Sequence, residues 1–439
     1  MNFGLVQNFL ATLVKGQRLL GTDEYSPLEE LLEKLMSSSG EISAMVTARE
    51  ILDRYKKLDA EERLKFFQLL ESEFNAEPDQ IRLAYRAYEE NPGSQALQEL
   101  NDACEPRRRE LFRRLNQTAG ATHDLVAMRT DLLQLIRQQP KLAAVDSDFV
   151  HLFSSWFARG FLMMHRIDWQ TPADILERII RYEAVHEIQD WDDLRRRIQP
   201  ENRRCFAFFH PALIDEPLIF VEVALSNKIP GSIGEILKSE SEEELDGDYD
   251  TATFYSISNC QPGLRNISFG NFLIKQVVQE LQSEVPSIKN FVTLSPIPGF
   301  CRWLANEDSG IPEHLEHLAK KINSLPNTVG NAEPPAETLK QLCAEYLLNA
   351  KRGILPLDPV ARFHLGNGAR IHRILIAADT SGKGLQQSRG MMVNYLYDPR
   401  YIERNHEQFM TDGIIDSSSE VQKPLNKTRP PTRKKANGS

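Results

Sequence analysis

From Asp59 to Ile198 the apolar positions recur three and four residues apart. Leu64, Phe67 and Leu70 form one such stripe, and Leu125, Met128, Leu132 and Leu135 form another; this spacing brings side chains to one face of a helix. The punctuation agrees. Asp59 with Glu62 makes a capping pair, and Asn91-Pro92-Gly93 stops a helix that carries Ile81, Tyr85 and Tyr88. Pro140 ends the Leu125 stripe, and Thr171-Pro172 opens a further helix with a cap oxygen and a preset φ. Phe149 to Met164 is apolar on all sides, which predicts burial near a domain junction. Residues 1–160 therefore read as an all-helical bundle.

After Pro200 the period changes. Short β-like runs follow at Arg204–Phe209, Leu218–Leu225, Ala252–Ser258, Asn290–Leu294, Arg370–Ala378 and Met391–Tyr397. An amphipathic helix is predicted over Phe269–Leu281, and more helix between Ser309 and Ala350, broken by Asn331-Ala332-Glu333-Pro334-Pro335. The fold class is α+β, with a mixed α/β domain over 161–412. The stretch 413–439, with Ser417-Ser418-Ser419 and the basic run Arg429 to Lys435, holds too little apolar surface to pack and reads as a disordered basic tail.

Composition narrows the function. The 439 residues suffice for two or three domains, and 41% hydrophobic with 26% charged residues is ordinary for a globular protein. Fifty-two Lys plus Arg against 62 Asp plus Glu leave a net charge of -10, the wrong sign for a nucleic-acid or anionic-membrane binder. No apolar run has the length of a membrane span, and Met1 to Leu20 lacks the pattern of a signal peptide. The five scattered cysteines form no CxxC pair and read as reduced thiols. The expected compartment is the cytoplasm.

Two metal-like patterns fail on chemistry. Asp246, Asp248 and Asp250 imitate a calcium loop, but Thr251 and Ile257 stand where Gly and a bidentate Glu are needed, so the acidic run is read as solvated. His314 and His317 lie one turn apart without the remaining zincin groups, and are read as facing solvent. There is no phosphate-binding P-loop and no serine elbow.

Four segments retain candidate chemistry. Arg265-Asn266-Ile267-Ser268-Phe269-Gly270 precedes a predicted helix, whose first N–H groups could bind phosphate; it resembles the CoA-pyrophosphate turn of acyl-CoA acetyltransferases, with Ser268 replacing one glycine. In Leu294-Ser295-Pro296-Ile297-Pro298-Gly299-Phe300 a hydroxyl follows an apolar strand and two prolines fix the exit. Ser295 is either aimed at a site or bonded to its own turn. His364, in Phe363-His364-Leu365-Gly366-Asn367-Gly368, is either a satisfied core imidazole or a catalytic one. Tyr395 and Tyr397 alternate onto one sheet face.

Taken with His210-Pro211, Glu216-Pro217-Leu218, Phe254-Tyr255-Ser256-Ile257-Ser258 and Phe272-Leu273-Ile274-Lys275, these motifs in this order resemble the malonyl-CoA decarboxylase family from about Val150 to Tyr397. The resemblance implies a helical bundle followed by an acetyltransferase-like (acyl-CoA N-acyltransferase) domain. It implies conversion of malonyl-CoA to acetyl-CoA and CO2 without metal or biotin, and a homo-oligomer, dimer or tetramer. By motif, Ser295 and His364 resemble the catalytic pair, with Tyr397 and Ser256 as accessory residues. Arg265, Ser268, Gly270, Pro298, Gly299 and Asn367 are the remaining expected substrate contacts. Ser268 stands where members of the family can carry Glu, so no acid role is carried over to it. The alternative on the same fold is an acyl-CoA-dependent acyltransferase.

Overall fold

The computed structural model describes residues 27–238, 249–267, 272–306, 308–325 and 336–426. The chain divides into two compact units. One comprises Met1–Met163 with two short returns, Phe209–Leu218 and Gln261–Phe269; the other holds the rest. The first, long segment of the former unit ends at Met163. The returns carry no helical period, so the pattern of apolar positions could not assign them.

The helical unit forms where its stripes predict. Helix Ala60–Ser72 opens with a full capping box: the Asp59 carboxylate accepts from Glu62 N–H, and the Glu62 carboxylate accepts from Asp59 N–H, both at 2.9 Å. Its buried Phe66 and Phe67 pack on Tyr55, while Phe112 stacks on Phe149 with ring centroids 4.2 Å apart. Helix Pro78–Glu90 ends before Asn91 as expected, yet it buries none of its residues.

Three expectations are corrected. The segment Phe149–Met164 is not buried throughout: its helix stops at Trp156, and Phe161 and Met163 are 61% and 46% exposed. Thr171 does not cap the following helix; its hydroxyl accepts the Asp168 N–H, and Pro172 flanks helix Ala173–Tyr182 without a side-chain cap. Residues 413–426 are not an unpacked tail. Ser417 bridges Ile371, and helix Ser419–Asn426 buries Val421 and Leu425, so a few well-spaced apolar residues suffice where a strand edge accepts them. Residues 427–439, like the acidic run at 242–248 and the 331–335 break, lie outside the described residues.

The second unit holds most of a sheet made of strands β1 (Met163–Ile167), β2 (Arg203–His210), β3 (Leu213–Ser226), β4 (Thr251–Asn259), β5 (Asn290–Thr293), β6 (Ser295–Pro296), β9 (Arg370–Leu375) and β10 (Met392–Tyr397). Their order is β1-β2-β3-β4-β5-β10-β6, with β9 also on β10; β7 (Lys351–Arg352) and β8 (Leu355–Pro356) form a separate ribbon. All six predicted runs are strands. Helix Phe272–Glu284 covers most of the predicted one, but its predicted start at Phe269 lies outside the described residues.

Two irregularities shape the centre of this sheet. First, β4 and β5 pair in parallel from Thr251↔Asn290 to Phe254↔Thr293 and then part, because β5 ends while β4 runs on to Asn259. Second, the β3–β4 ladder slips by one between Glu222↔Ser256 and Val223↔Phe254. That slip inserts Tyr255 as a bulge and turns Ser256 to the face opposite Phe254. One face packs Ala224, Tyr255, Leu294, Leu375 and Met392 against Ile233 and Ile236 of the short helix Ile233–Leu237. The other face carries the site.

Candidate active site

Strand alternation puts Thr293 and Ser295 on one face, and antiparallel pairing of Val393 with Ser295 and Tyr397 with Phe291 brings Tyr395 and Tyr397 onto the same face. Leu294, between the two hydroxyl residues, points into the core on the other side. The main-chain ladder is interrupted here, and side chains replace it: Asn394 Nδ2 donates to the Thr293 carbonyl at 2.8 Å, and Tyr395 N–H donates to Thr293 Oγ1 at 3.1 Å.

His364 reaches this face from helix Pro359–Gly366. Asp358 caps the helix through bonds from Val360 and Ala361 N–H, and Pro359 occupies its first turn. The helix ends at Asn367, whose Nδ2 donates to the Phe363 carbonyl at 2.6 Å. Gly368 follows at φ +84°, with the Ile402 carbonyl where a Cβ would stand, so only glycine fits the turn.

Ser295, His364 and Tyr397 converge. Ser295 Oγ lies 3.0 Å from His364 Nε2, and His364 Nδ1 lies 2.8 Å from the Tyr397 hydroxyl. Ser295 also donates to Thr293 Oγ1 at 2.8 Å. In that arrangement Nε2–H donates to Ser295 and Nδ1 accepts from Tyr397; reversing every proton gives the other tautomer. The Tyr395 ring stacks on the imidazole at 4.6 Å and the Phe254 ring meets Tyr397 at 6.4 Å.

All three side chains are buried, and burial fixes their protonation. Loss of water pushes His364 down to about 3, so the imidazole is neutral near pH 7. The same loss pushes Tyr397 well above its usual value, so it keeps its proton. The trio is thus an uncharged hydrogen-bonded chain that can donate at either end.

The other expected site residues have different surroundings. The Ser256 hydroxyl donates to Glu183 Oε2 at 2.7 Å and lies 3.2 Å from Ser258, on the far face from Ser295. Glu183 in turn accepts Val185 and His186 N–H. Nearby, Glu222 meets Arg197 at 3.3 Å, yet complete burial pushes its carboxyl up to about 8. Gly299 lies against Tyr346, and Pro298 is half-buried. Arg265 is exposed after the turn Pro262–Leu264, and its carbonyl accepts from Arg129 at 2.9 Å. Ser268 and Gly270 lie outside the described residues. Of the apolar residues around the motifs, Ile297, Phe300 and Leu365 are buried, whereas Phe363 is 39% exposed. His314 and His317 face solvent as expected.

Sequence reasoning overlooked Thr293 and Asp358. Thr293 was detectable two residues before Ser295, on the same strand face; Asp358-Pro359 was detectable as a helix-start pair.

The parting parallel strands and the buried trio lie in one mixed α/β domain. The family model for the malonyl-CoA decarboxylase C-terminal domain matches residues 160–435, and that for the N-terminal domain matches 74–157. The mitochondrial malonyl-CoA decarboxylase of Anser anser anser is 35% identical over 412 residues, covering 85% of this chain and 82% of its own. That of Rattus norvegicus is 38% identical over 358 residues, covering 74% and 73%. The crystal structure of malonyl-CoA decarboxylase from Rhodopseudomonas palustris superposes with a TM-score of 0.85 at 48% identity, covering 90% of this chain and 98% of that one. The enzyme from Agrobacterium vitis gives 0.83 at 48% identity, covering 91% and 99%. The chain belongs to the malonyl-CoA decarboxylase family.

Proposed function

We propose that this chain is a carbon–carbon lyase that converts malonyl-CoA to acetyl-CoA and CO2, with Ser295, His364 and Tyr397 as its reacting groups. The carrying observation is the 3.0 Å contact of Ser295 Oγ with a neutral, buried His364 at the motif positions of the family.

Breaking the bond between the carboxyl carbon and Cα leaves an electron pair, which the thioester carbonyl accepts as an enolate. The thioester is its own electron sink, so the proposed chemistry calls for neither metal nor biotin. Ser295, turned from Thr293 toward the thioester oxygen, stabilises the growing negative charge with its O–H, backed by Nε2–H of His364. One proton then closes the reaction at Cα. His364 gives up its Nε2 proton while taking the Tyr397 proton on Nδ1; one solvent proton then returns to Nε2 as Nδ1 hands its proton back to the phenolate, which restores the starting state. A neutral imidazole suits this task because it can donate from one nitrogen while accepting at the other.

The part of β4 beyond Phe254, which pairs in the ladder only with β3 among the described residues, supports an approach for an extended amide chain such as pantetheine. Arg265, Ser268 and Gly270 are proposed to hold the pyrophosphate. The cytoplasm and a homo-oligomer remain part of this reading. Among the described residues no helix is long and apolar enough to cross a membrane. The Anser anser anser and Rattus norvegicus relatives carry mitochondrial names, so fractionation of the native host decides the compartment. The function itself is tested by incubating the purified protein with malonyl-CoA and no acceptor: acetyl-CoA should accumulate, and unchanged malonyl-CoA would refute the reading.

A further inference from the structure

Asp358 is wholly buried, and four donors converge on its carboxylate. Val360 and Ala361 N–H, each at 2.9 Å, belong to the helix that carries His364. The Tyr346 hydroxyl, at 3.3 Å on Oδ2, comes from helix Ala336–Leu348. The fourth donor is the backbone N–H of Gly299, in the loop that leaves Ser295. Only three residues lie between Ser295 and Gly299, and two of them, Pro296 and Pro298, remove most of the freedom there. His364 lies six residues beyond Asp358 on a helix that Asp358 itself caps. The carboxylate therefore ties both halves of the reacting pair to one point. Gly299 can reach that point only because it lacks a side chain: a Cβ there would collide with the Tyr346 hydroxyl.

We propose that Asp358 is a positioning residue that sets the separation of Ser295 and His364 through Gly299 on one side and the helix cap on the other. The inference rests on the reading of Ser295 and His364 as reacting groups. An ionised carboxylate offers only acceptors, which matches four donors. Asparagine in its place has the same shape but turns an NH2 toward two of them, loosening one of the two ties. Displacement of a reacting group by about 1 Å can cost about 100-fold in rate.

The test uses the full-length protein. Asp358→Asn should lower kcat at least about tenfold, with KM within about twofold. Gly299→Ala attacks the loop side alone and leaves the helix cap intact. It should lose kcat similarly, and the double variant Gly299→Ala/Tyr346→Phe, which removes the colliding hydroxyl, should regain most of it. A merely structural role would show as lost thermal stability, whereas the positioning role predicts a fall in kcat at nearly constant KM in protein that unfolds at the wild-type temperature. In parallel, the ring nitrogen resonances of 15N-labelled His364, measured without substrate, should shift in Asp358→Asn and Gly299→Ala and return in the double variant. Wild-type kcat in folded Asp358→Asn, or unaltered His364 resonances in Gly299→Ala, or no recovery in the double variant, would overturn the proposal. Lack of turnover by the wild type would instead refute the decarboxylase reading, and the resonance measurement would still decide the clamp.

Discussion

The phenol oxygen of Tyr397 lies 2.8 Å from His364 Nδ1, so the imidazole is held on the side away from Ser295. If Tyr397 supplies the proton that replaces the one lost from Nε2, Tyr397→Phe should lower kcat by about 10- to 100-fold and leave KM nearly unchanged. Steady-state kinetics with malonyl-CoA checks this. A raised KM at unchanged kcat would make Tyr397 a binding residue.

His364 also predicts a pH dependence of stability. Its ordinary value is 6.5, and in the folded chain burial lowers it to about 3. Between those values the unfolded chain binds a proton that the folded chain does not. The contribution is therefore complete above about pH 6.5 and is lost as pH falls toward 3. Urea unfolding between pH 4 and 7, a window chosen from those two values, should give a shallower pH slope for His364→Asn than for wild type. Equal slopes would contradict the neutral imidazole.

Glu222 has the opposite sign. Burial raises it from 4.5 to about 8, so across that window the folded chain keeps a proton that the unfolded chain releases, and stability falls as pH rises. Glu222→Gln should gain stability relative to wild type from pH 5 to 8. A difference independent of pH would show that Arg197 keeps Glu222 ionised.

Gly368 stands at φ +84° with the Ile402 carbonyl filling the space of a Cβ. Gly368→Ala should destabilise the protein by about 2 kcal/mol or more, the combined cost of strain and overlap. Thermal unfolding measures it, and an unchanged Tm would mean that the turn relaxes.

The elements were legible because their signals are local. The Asp59–Glu62 cap, the alternation through Tyr395 and Tyr397 and the proline-framed Ser295 each span a few residues. The meeting of Ser295 with His364 joins positions 69 residues apart; motif order could suggest it, but only the β5–β10–β6 pairing creates it. Ser256 illustrates what stayed hidden. Its motif placed it in the site, whereas a one-residue slip beside Tyr255 turns its hydroxyl to Glu183 on the other face, and bulges leave no clear mark in one sequence. The packing of residues 413–426 was missed for a related reason: Val421 and Leu425 are too sparse to announce burial before a partner surface is known.

The central claim is tested most directly with malonyl-CoA labelled in its free carboxyl group, supplied without any acceptor to wild type and to Ser295→Ala. Wild type should release one labelled CO2 for each acetyl-CoA formed, and the variant should bind the thioester with similar Kd while releasing CO2 about 100-fold more slowly or worse. Release at the wild-type rate by folded Ser295→Ala, or acyl transfer in place of CO2 release, would contradict the account.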